Sequence, residues 1–179
     1  EVISKKILIY RAPAFSINTQ SKWALEIIAK NGISFDLSLF QGHHTLGGIS
    51  GKKINEPFYI NTQSGKILEY PMSISKILGL TFATCGGGYF RLLPFSITKA
   101  LLHHSEYKMT YFHPRDFDYG QPRLPMSAIK YFKTYVGLLS SKSKFKKLLE
   151  NFNPISLSED LRTRDLDKLK IIELKSLGN

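Results

Sequence analysis

The sequence predicts an α/β fold built on parallel strands, and three neighbouring segments carry that reading. Lys6 to Tyr10 is a short apolar run that stops at Arg11-Ala12-Pro13, because proline cannot donate into a central ladder. From about Ser21 to Lys30 the spacing predicts a helix with Trp23, Ile27 and Ile28 on one face, closed by the C-cap signal Asn31-Gly32. Ile33 to Phe40 alternates apolar and polar residues at the period of a strand. Strand, helix and strand joined by short connections form a parallel α/β unit.

Further along, Gln41 to Lys66 reads as a long loop, marked by His43-His44, Gly47-Gly48, Gly51, Pro57 and Ser64-Gly65, with a small hairpin between Phe58 and Ile67. Ile67 to Met72 reads as a strand interrupted at Pro71. The triple glycine Gly86 to Gly88 leads into Tyr89-Phe90-Arg91-Leu92-Leu93-Pro94, and a helix is expected from about Ser96 to His104. Met109 to Phe112 reads as a third core strand ending in the charged tip His113-Pro114-Arg115-Asp116. Beyond Pro125 two helical stretches follow, about Ala128 to Leu138 and Lys142 to Asn151, then a polar tail. The expected division is therefore residues 1–125 and a helical extension with a tail over residues 126–179.

Composition bounds the function classes. A chain of 179 residues with 42% hydrophobic content, 12 Phe and 9 Tyr can build a packed core, so disorder is not the default reading. The longest uncharged apolar stretch, Ile77 to Phe90, is too short for a bilayer span and holds three consecutive glycines. Cys85 is the sole cysteine, which excludes an internal disulfide and a multi-cysteine zinc site. Twenty-five Lys and Arg against 14 Asp and Glu give a net charge of +11, which favours anionic partners. Among these are nucleic acid, phospholipid headgroups and acidic or lipid-linked glycans. No nucleic-acid-binding motif accompanies the charge, a solvated basic surface accounts for it, and no nucleic-acid partner is expected. The first residue, Glu1, is read as the start of a processed product or a fragment. The expected location is the cytoplasm, either free or at the membrane periphery.

In folds with parallel strands, ligands bind beyond the carboxyl ends of the strands, which makes Arg11, Asp36 and His113 candidates to meet at one site. A histidine before a proline at a strand end is also a common hydrogen-bonded turn residue. Adjacent His43 and His44 lack a carboxylate to complete a metal set. Cys85, in apolar company, reads as a small buried side chain. Gly86 to Gly88 lacks the spacing of a phosphate loop, and close backbone packing or a tight turn explains it.

An ordered set of segments resembles the polysaccharide deacetylases with a NodB-like domain, in the subgroup of exopolysaccharide and exosortase loci that carries a C-terminal extension. Tyr10-Arg11-Ala12-Pro13-Ala14-Phe15-Ser16-Ile17 is similar to that family's Tyr-Arg-Ala-Pro-Ser-Phe-Ser-Ile. Gly32 to Ser38 resembles its Gly-Phe-x-Tyr-Asp-Ser-Ser, His44 and Gly48 a His-Asp-x-Tyr-Gly loop, and Glu69-Tyr70-Pro71 a Glu-x-Pro. Gly86 to Pro94 is the most specific segment. Tyr111 to Asp118 resembles Tyr-x-His-Pro-Trp-Glu-x-Asp, with Pro122-Arg123 after it.

The resemblance implies the C-terminal part of a distorted (β/α) barrel and a bacterial hydrolase that removes N-acetyl groups from sugars of a surface polysaccharide. It implies a divalent metal, usually zinc, in the complete enzyme. His113 would be the general acid, and Arg11 the orienter of the catalytic aspartate. Asp36 would be the acid that holds the histidine, and Tyr89 and Arg91 would line the sugar site. The family's Asp-Asp and His-x-x-x-His motifs precede the Arg-x-Pro segment, and here no Asp or His precedes Arg11. Thr45 stands where Asp is usual, and Arg115 where an aromatic is. The chain alone is thus expected to hold no metal and to turn over no substrate. Its expected partners are an N-acetylated polysaccharide or lipid-linked glycan and a missing N-terminal half or partner chain, whose absence would leave exposed apolar strand edges. The alternatives are a non-catalytic glycan- or partner-binding remnant and a basic nucleic-acid-binding domain.

Overall fold

A computed structural model describes residues 4–42, 47–49, 51, 54–77, 80–83, 86–104 and 106–178. The chain runs β1 (Ile9–Tyr10), α1 (Trp23–Lys30), β2 (Phe35–Asp36), β3 (Phe58–Thr62), β4 (Gly65–Glu69), β5 (Ile74–Ile77) and β6 (Leu80–Ala83). It continues through α2 (Gly87–Leu92), α3 (Phe95–His103), α4 (Ala128–Tyr135), α5 (Leu138–Phe152), α6 (Leu157–Thr163) and β7 (Ile171–Glu173). Contacts divide it into two units, residues 1–81 with 165–179, and residues 82–164. No described helix is long and apolar enough to cross a membrane.

The first unit is a mixed α/β structure around a five-stranded, mostly parallel sheet in the order β1-β2-β4-β3-β7. Its parallel start is the unit expected from the first forty residues. β1, β2 and β4 run parallel, with Ile9 opposite Phe35, Tyr10 opposite Asp36 and Asp36 opposite Glu69. β3 and β4 form the hairpin expected from Ser64-Gly65, and β7 adds parallel to β3. Phe58 and Ile60 alternate inward along β3, as the two-residue period requires. On the central strand β4, Ile67, Leu68 and Glu69 are all buried, because a central strand is covered on both faces.

The core of this unit joins Leu25 and Ile28 of α1 to Phe58, Ile60 and Ile67 of the sheet. Fully burying one such side chain stabilises by about 1.5–3 kcal/mol. The face of α1 differs from the expected one. Leu25 and Ile28 are the buried pair, whereas Trp23 and Ile27 are exposed. The helix ends as its sequence indicates, with Asn31 as C-cap and Gly32 in the left-handed region. β1 lies at the edge of the sheet, and Ile7, Leu8, Ile9 and Tyr10 are all exposed. β1 is paired over fewer residues than the sequence indicates.

Two further expectations change. Met109 to Phe112 is no strand. It is an extended segment with a single parallel bridge, Gly86 to Tyr111. The polar tail is partly ordered. It holds α6 and then β7, whose Ile172 packs on the first unit's core together with Leu174.

The second unit is helical and aromatic. Phe90 of α2, Leu102 of α3 and Leu148 of α5 form its buried centre. Phe112 lies at its middle, with ring centroids 4.9 Å from Phe90, 5.4 Å from Phe117 and 5.3 Å from Phe145. The triple glycine opens α2, with Gly86 as N-cap.

Candidate active-site residues

In the first unit, three neighbouring parallel strands end in charged side chains. Arg11 follows β1, Asp36 ends β2 and Glu69 ends β4, so all three stand at the carboxyl end of the sheet. Arg11 and Asp36 are among the residues that sequence spacing singles out; Glu69 enters there only through a motif. Asp36 and Glu69 are fully buried. Hydrogen bonds fix the tips to one another. The Ala12 N–H donates to Ser38 Oγ at 2.7 Å, the Ser38 hydroxyl donates to Asp36 Oδ1 at 2.6 Å, and the Leu39 N–H donates to Glu69 Oε1 at 3.0 Å. Burial pushes Glu69 well above the ordinary carboxylate range, and the charge of Asp36 adds to the push. Burial also raises Asp36, against hydrogen bonds from Glu69 and Ser38.

Beyond Arg11 the chain makes a 3-10 turn at Pro13–Phe15, in which Ala14 and Phe15 have φ of 54° and 50°. Non-glycine residues hold that conformation only where their surroundings impose it. The Arg11 guanidinium lies over the Phe15 ring, 5.7 Å from its centroid.

In the second unit the histidine sits in a chain of partners. His113 N-caps the 3-10 turn Pro114–Asp116, and its backbone N–H donates to Asp116 Oδ2 at 2.9 Å. Its ring meets the Tyr111 hydroxyl at 2.8 Å through Nε2, and Asp116 Oδ2 lies 3.8 Å from Nδ1. Asp116 is buried and pairs with Arg91, Nε to Oδ1 at 3.1 Å. The His113 side chain is 46% exposed, so a half-open imidazole stands between a phenol and a carboxylate. A histidine with this access to solvent and these polar neighbours has the side-chain type of a proton-transfer residue.

Arg91 is turned inward, only 6% exposed. Its Nη1 donates to the carbonyls of Thr134 and Val136 at 2.6 and 3.1 Å, and its Nη2 to that of Lys133 at 3.2 Å. It ties α2 to the end of α4 instead of facing solvent, while Tyr89 is exposed. The acid beside His113 in its own unit is Asp116, and the described partners of Asp36 are Ser38 and Glu69. Asp116 and Tyr111 were legible only as members of the His113 motif. His43, His44, Thr45 and Cys85 lie outside the described residues. Among the described residues, no group of three or more His, Cys, Asp or Glu is placed to hold a metal ion.

A sheet whose parallel strands end in Arg11, Asp36 and Glu69, with a helical unit presenting His113, defines a mixed α/β protein with strand-tip charges. A family model described as "Domain of unknown function (DUF3473)" matches residues 37–161, and the chain belongs to that family. The match opens one residue after Asp36 and takes in Glu69, Tyr89, Arg91, His113 and Asp116. No curated protein and no solved structure matches the chain.

Proposed function

We propose that this chain is the acid-and-orienter part of a metal-dependent polysaccharide deacetylase of the NodB-like kind, acting on N-acetylated sugars of a surface polysaccharide. In that reading the first unit's sheet is part of a distorted (β/α) barrel. The catalytic divalent metal, zinc by resemblance, is held by residues other than the described ones. The observation that carries the reading is His113, half-exposed beside Tyr111 and Asp116 within one of the segments that resemble the family. Its imidazolium would protonate the leaving amine as the amide carbon–nitrogen bond breaks. Asp116, held by Arg91, would keep the ring in place as a positioning residue. Arg11 at the tip of β1 would orient the base supplied from elsewhere.

A second reading is a non-catalytic glycan-binding module. It draws on an open groove of about 670 Å³ in the second unit, lined by Arg123, Tyr131, Phe132 and Tyr135. The Arg123 guanidinium stacks 4.3 Å from the Tyr135 ring centroid, a surface suited to sugar faces with acidic substituents. One experiment separates the two. Acetate release from N-acetylated oligosaccharides is measured for the complete polypeptide that contains this chain, with and without EDTA. The deacetylase reading expects EDTA-sensitive release that falls about 10²-fold or more in His113→Ala, the usual contribution of a general acid. Release unchanged in His113→Ala would remove it. Saccharide binding without any acetate release, indifferent to EDTA, would establish the second reading.

A further inference from the structure

Asp36 and Glu69 are register partners on adjacent parallel strands, and residues so placed project from the same face of a sheet, side by side. Both are fully buried. Asp36 is supplied with donors from Ser38, hydroxyl to Oδ1 at 2.6 Å and N–H to Oδ2 at 3.3 Å. Glu69 Oε1 receives the Leu39 N–H, but Oε2 is buried with no N–H or hydroxyl donor on it among the described residues. An ionised carboxylate in that setting would carry a desolvated, unanswered oxygen beside a second negative charge. A carboxylic acid would not, since Oε2 would then be a donor with Asp36 as its acceptor.

The neighbouring charges give the same result. Among the described residues, Asp36 raises the cost of a charge on Glu69, and the Arg11 guanidinium, from the tip after β1, lowers it. β3 sets Phe58 opposite Glu69, and α1, which packs on β4, directs its acid Glu26 to the Gln63 N–H instead. Two buried carboxylates side by side repel each other, which favours one of them keeping its proton. We infer that Asp36 and Glu69 share a single proton, carried on Glu69 Oε2 and donated to Asp36, and that this buried acid pair makes the strand tips of the first unit responsive to pH.

The burial that pushes Glu69 upward, and the added push from Asp36, agree in direction. The consequence has a definite sign. A carboxyl raised in the folded state binds its proton more tightly there than in the unfolded chain. Its stabilisation is present in full below the ordinary glutamate value of 4.5, which the unfolded chain keeps, and is lost as pH rises through the folded value. Between those two points the folding equilibrium constant falls by up to about tenfold per pH unit. Above them two negative charges lie side by side in a buried site.

The test is a carbon-13 NMR titration of side-chain carboxyls in the full chain between pH 4 and 9, with urea unfolding followed across the same range. The Glu69 signal is assigned by through-bond correlation in the wild type. The expected result is a Glu69 midpoint well above 4.5, and a lower midpoint in Asp36→Asn, which removes the like charge. Glu69→Gln supplies the amide as a permanent donor. It is expected to fold and to lose the decline in stability above pH 4.5. A Glu69 carboxyl that titrates at or below 4.5 in the wild type overturns the inference, whether or not either variant folds. So does a midpoint that Asp36→Asn leaves unmoved. No substrate enters the experiment, so its outcome is independent of the deacetylase reading.

Discussion

Asp116 is the residue on which the second unit's polar interior depends. Its carboxylate accepts the His113 N–H and pairs with Arg91, and both members of the ion pair are almost fully buried. Removing one partner of a buried pair leaves the other charge uncompensated, which costs far more than the pair's net contribution. Asp116→Ala is therefore expected to destabilise the second unit by about 3 kcal/mol. Burial already pulls the Arg91 guanidinium below its ordinary value, and Asp116 is the group that opposes that pull. Replacing both, as Asp116→Ala with Arg91→Met, should recover part of the loss, since no charge then remains to be compensated. Urea unfolding read by the helical circular dichroism signal measures all three proteins. A double variant no more stable than the single one would mean that the hydrogen bonds of Asp116 to His113 and of Arg91 to the α4 carbonyls, and not the uncompensated charge, carry the effect. The His113-Pro114-Arg115-Asp116 run points to this cluster in the sequence, because a proline after a cap residue and an acid three positions on form an N-terminal cap signature. Arg91 could not be placed the same way. A lone arginine between apolar residues does not say whether its guanidinium meets solvent or backbone carbonyls.

At the scale of elements, the end of α2 organises the helical unit. The helix stops at Leu93-Pro94, and three of its final carbonyls converge on one cation: Lys144 of α5 lies 2.6 Å from the Arg91 oxygen, 2.9 Å from that of Leu93 and 3.5 Å from that of Phe90. A lysine there satisfies orphan carbonyls and meets the negative end of the helix dipole. The same Arg91 carbonyl is why Gly137 is glycine. Gly137 joins α4 to α5 at φ 68°, and a Cβ there would collide with that oxygen and its carbon. Gly137→Ala meets a backbone conformation and a backbone neighbour that both oppose it, so a loss of about 2 kcal/mol is expected. Gly120 is the control. It has no such backbone, and an added Cβ would make only an ordinary contact with Asp118. Gly120→Ala should leave the melting temperature within a degree or two of the wild type, while Gly137→Ala lowers it by several. Equal shifts in the two variants would remove the steric argument. The sequence reading places Gly137 inside the first of two helical stretches, whereas α4 ends at Tyr135 and α5 starts at Leu138. Its close approach to Arg91 was not legible either, since periodicity reports which face is apolar and not which backbones touch. The same limit explains Trp23 and Ile27. They share a helical face, yet Leu25 and Ile28 are the pair turned to the core.

For the whole molecule, the unexpected feature is the return of the chain to its first unit. Periodicity cannot find β7, because three residues are too few to show alternation and the flanking Lys170 and Glu173 hide the two isoleucines in a polar stretch. The opening strands were legible because proline and glycine punctuate them. The packed return is visible only through contacts between residues more than a hundred positions apart. Those contacts are specific. The Tyr59 N–H donates to the Lys170 carbonyl at 2.8 Å, and the Asn61 side chain donates to Glu173 at 2.8 Å. Lys22 Nζ donates to the carbonyls of Lys175 and Leu177, each at 2.9 Å. Leu177 itself is buried in the core beside Phe58 and Ile60. Deleting residues 170–179 should therefore uncover β3 as a new sheet edge and open a void where Leu177 sat, at a cost of about 2–5 kcal/mol from the lost leucine alone. The loss belongs to the first unit. Amide exchange at Tyr59 should rise to that of an unprotected backbone, and exchange across Phe58 to Thr62 should accelerate with it. Amides in the middle of α5, whose buried partners are Phe90 and Leu102, should keep their protection in the truncated chain. Equal acceleration in β3 and α5 would show that the two units unfold as one. Protection at Tyr59 that survives the deletion would show that β7 adds nothing to the sheet it completes.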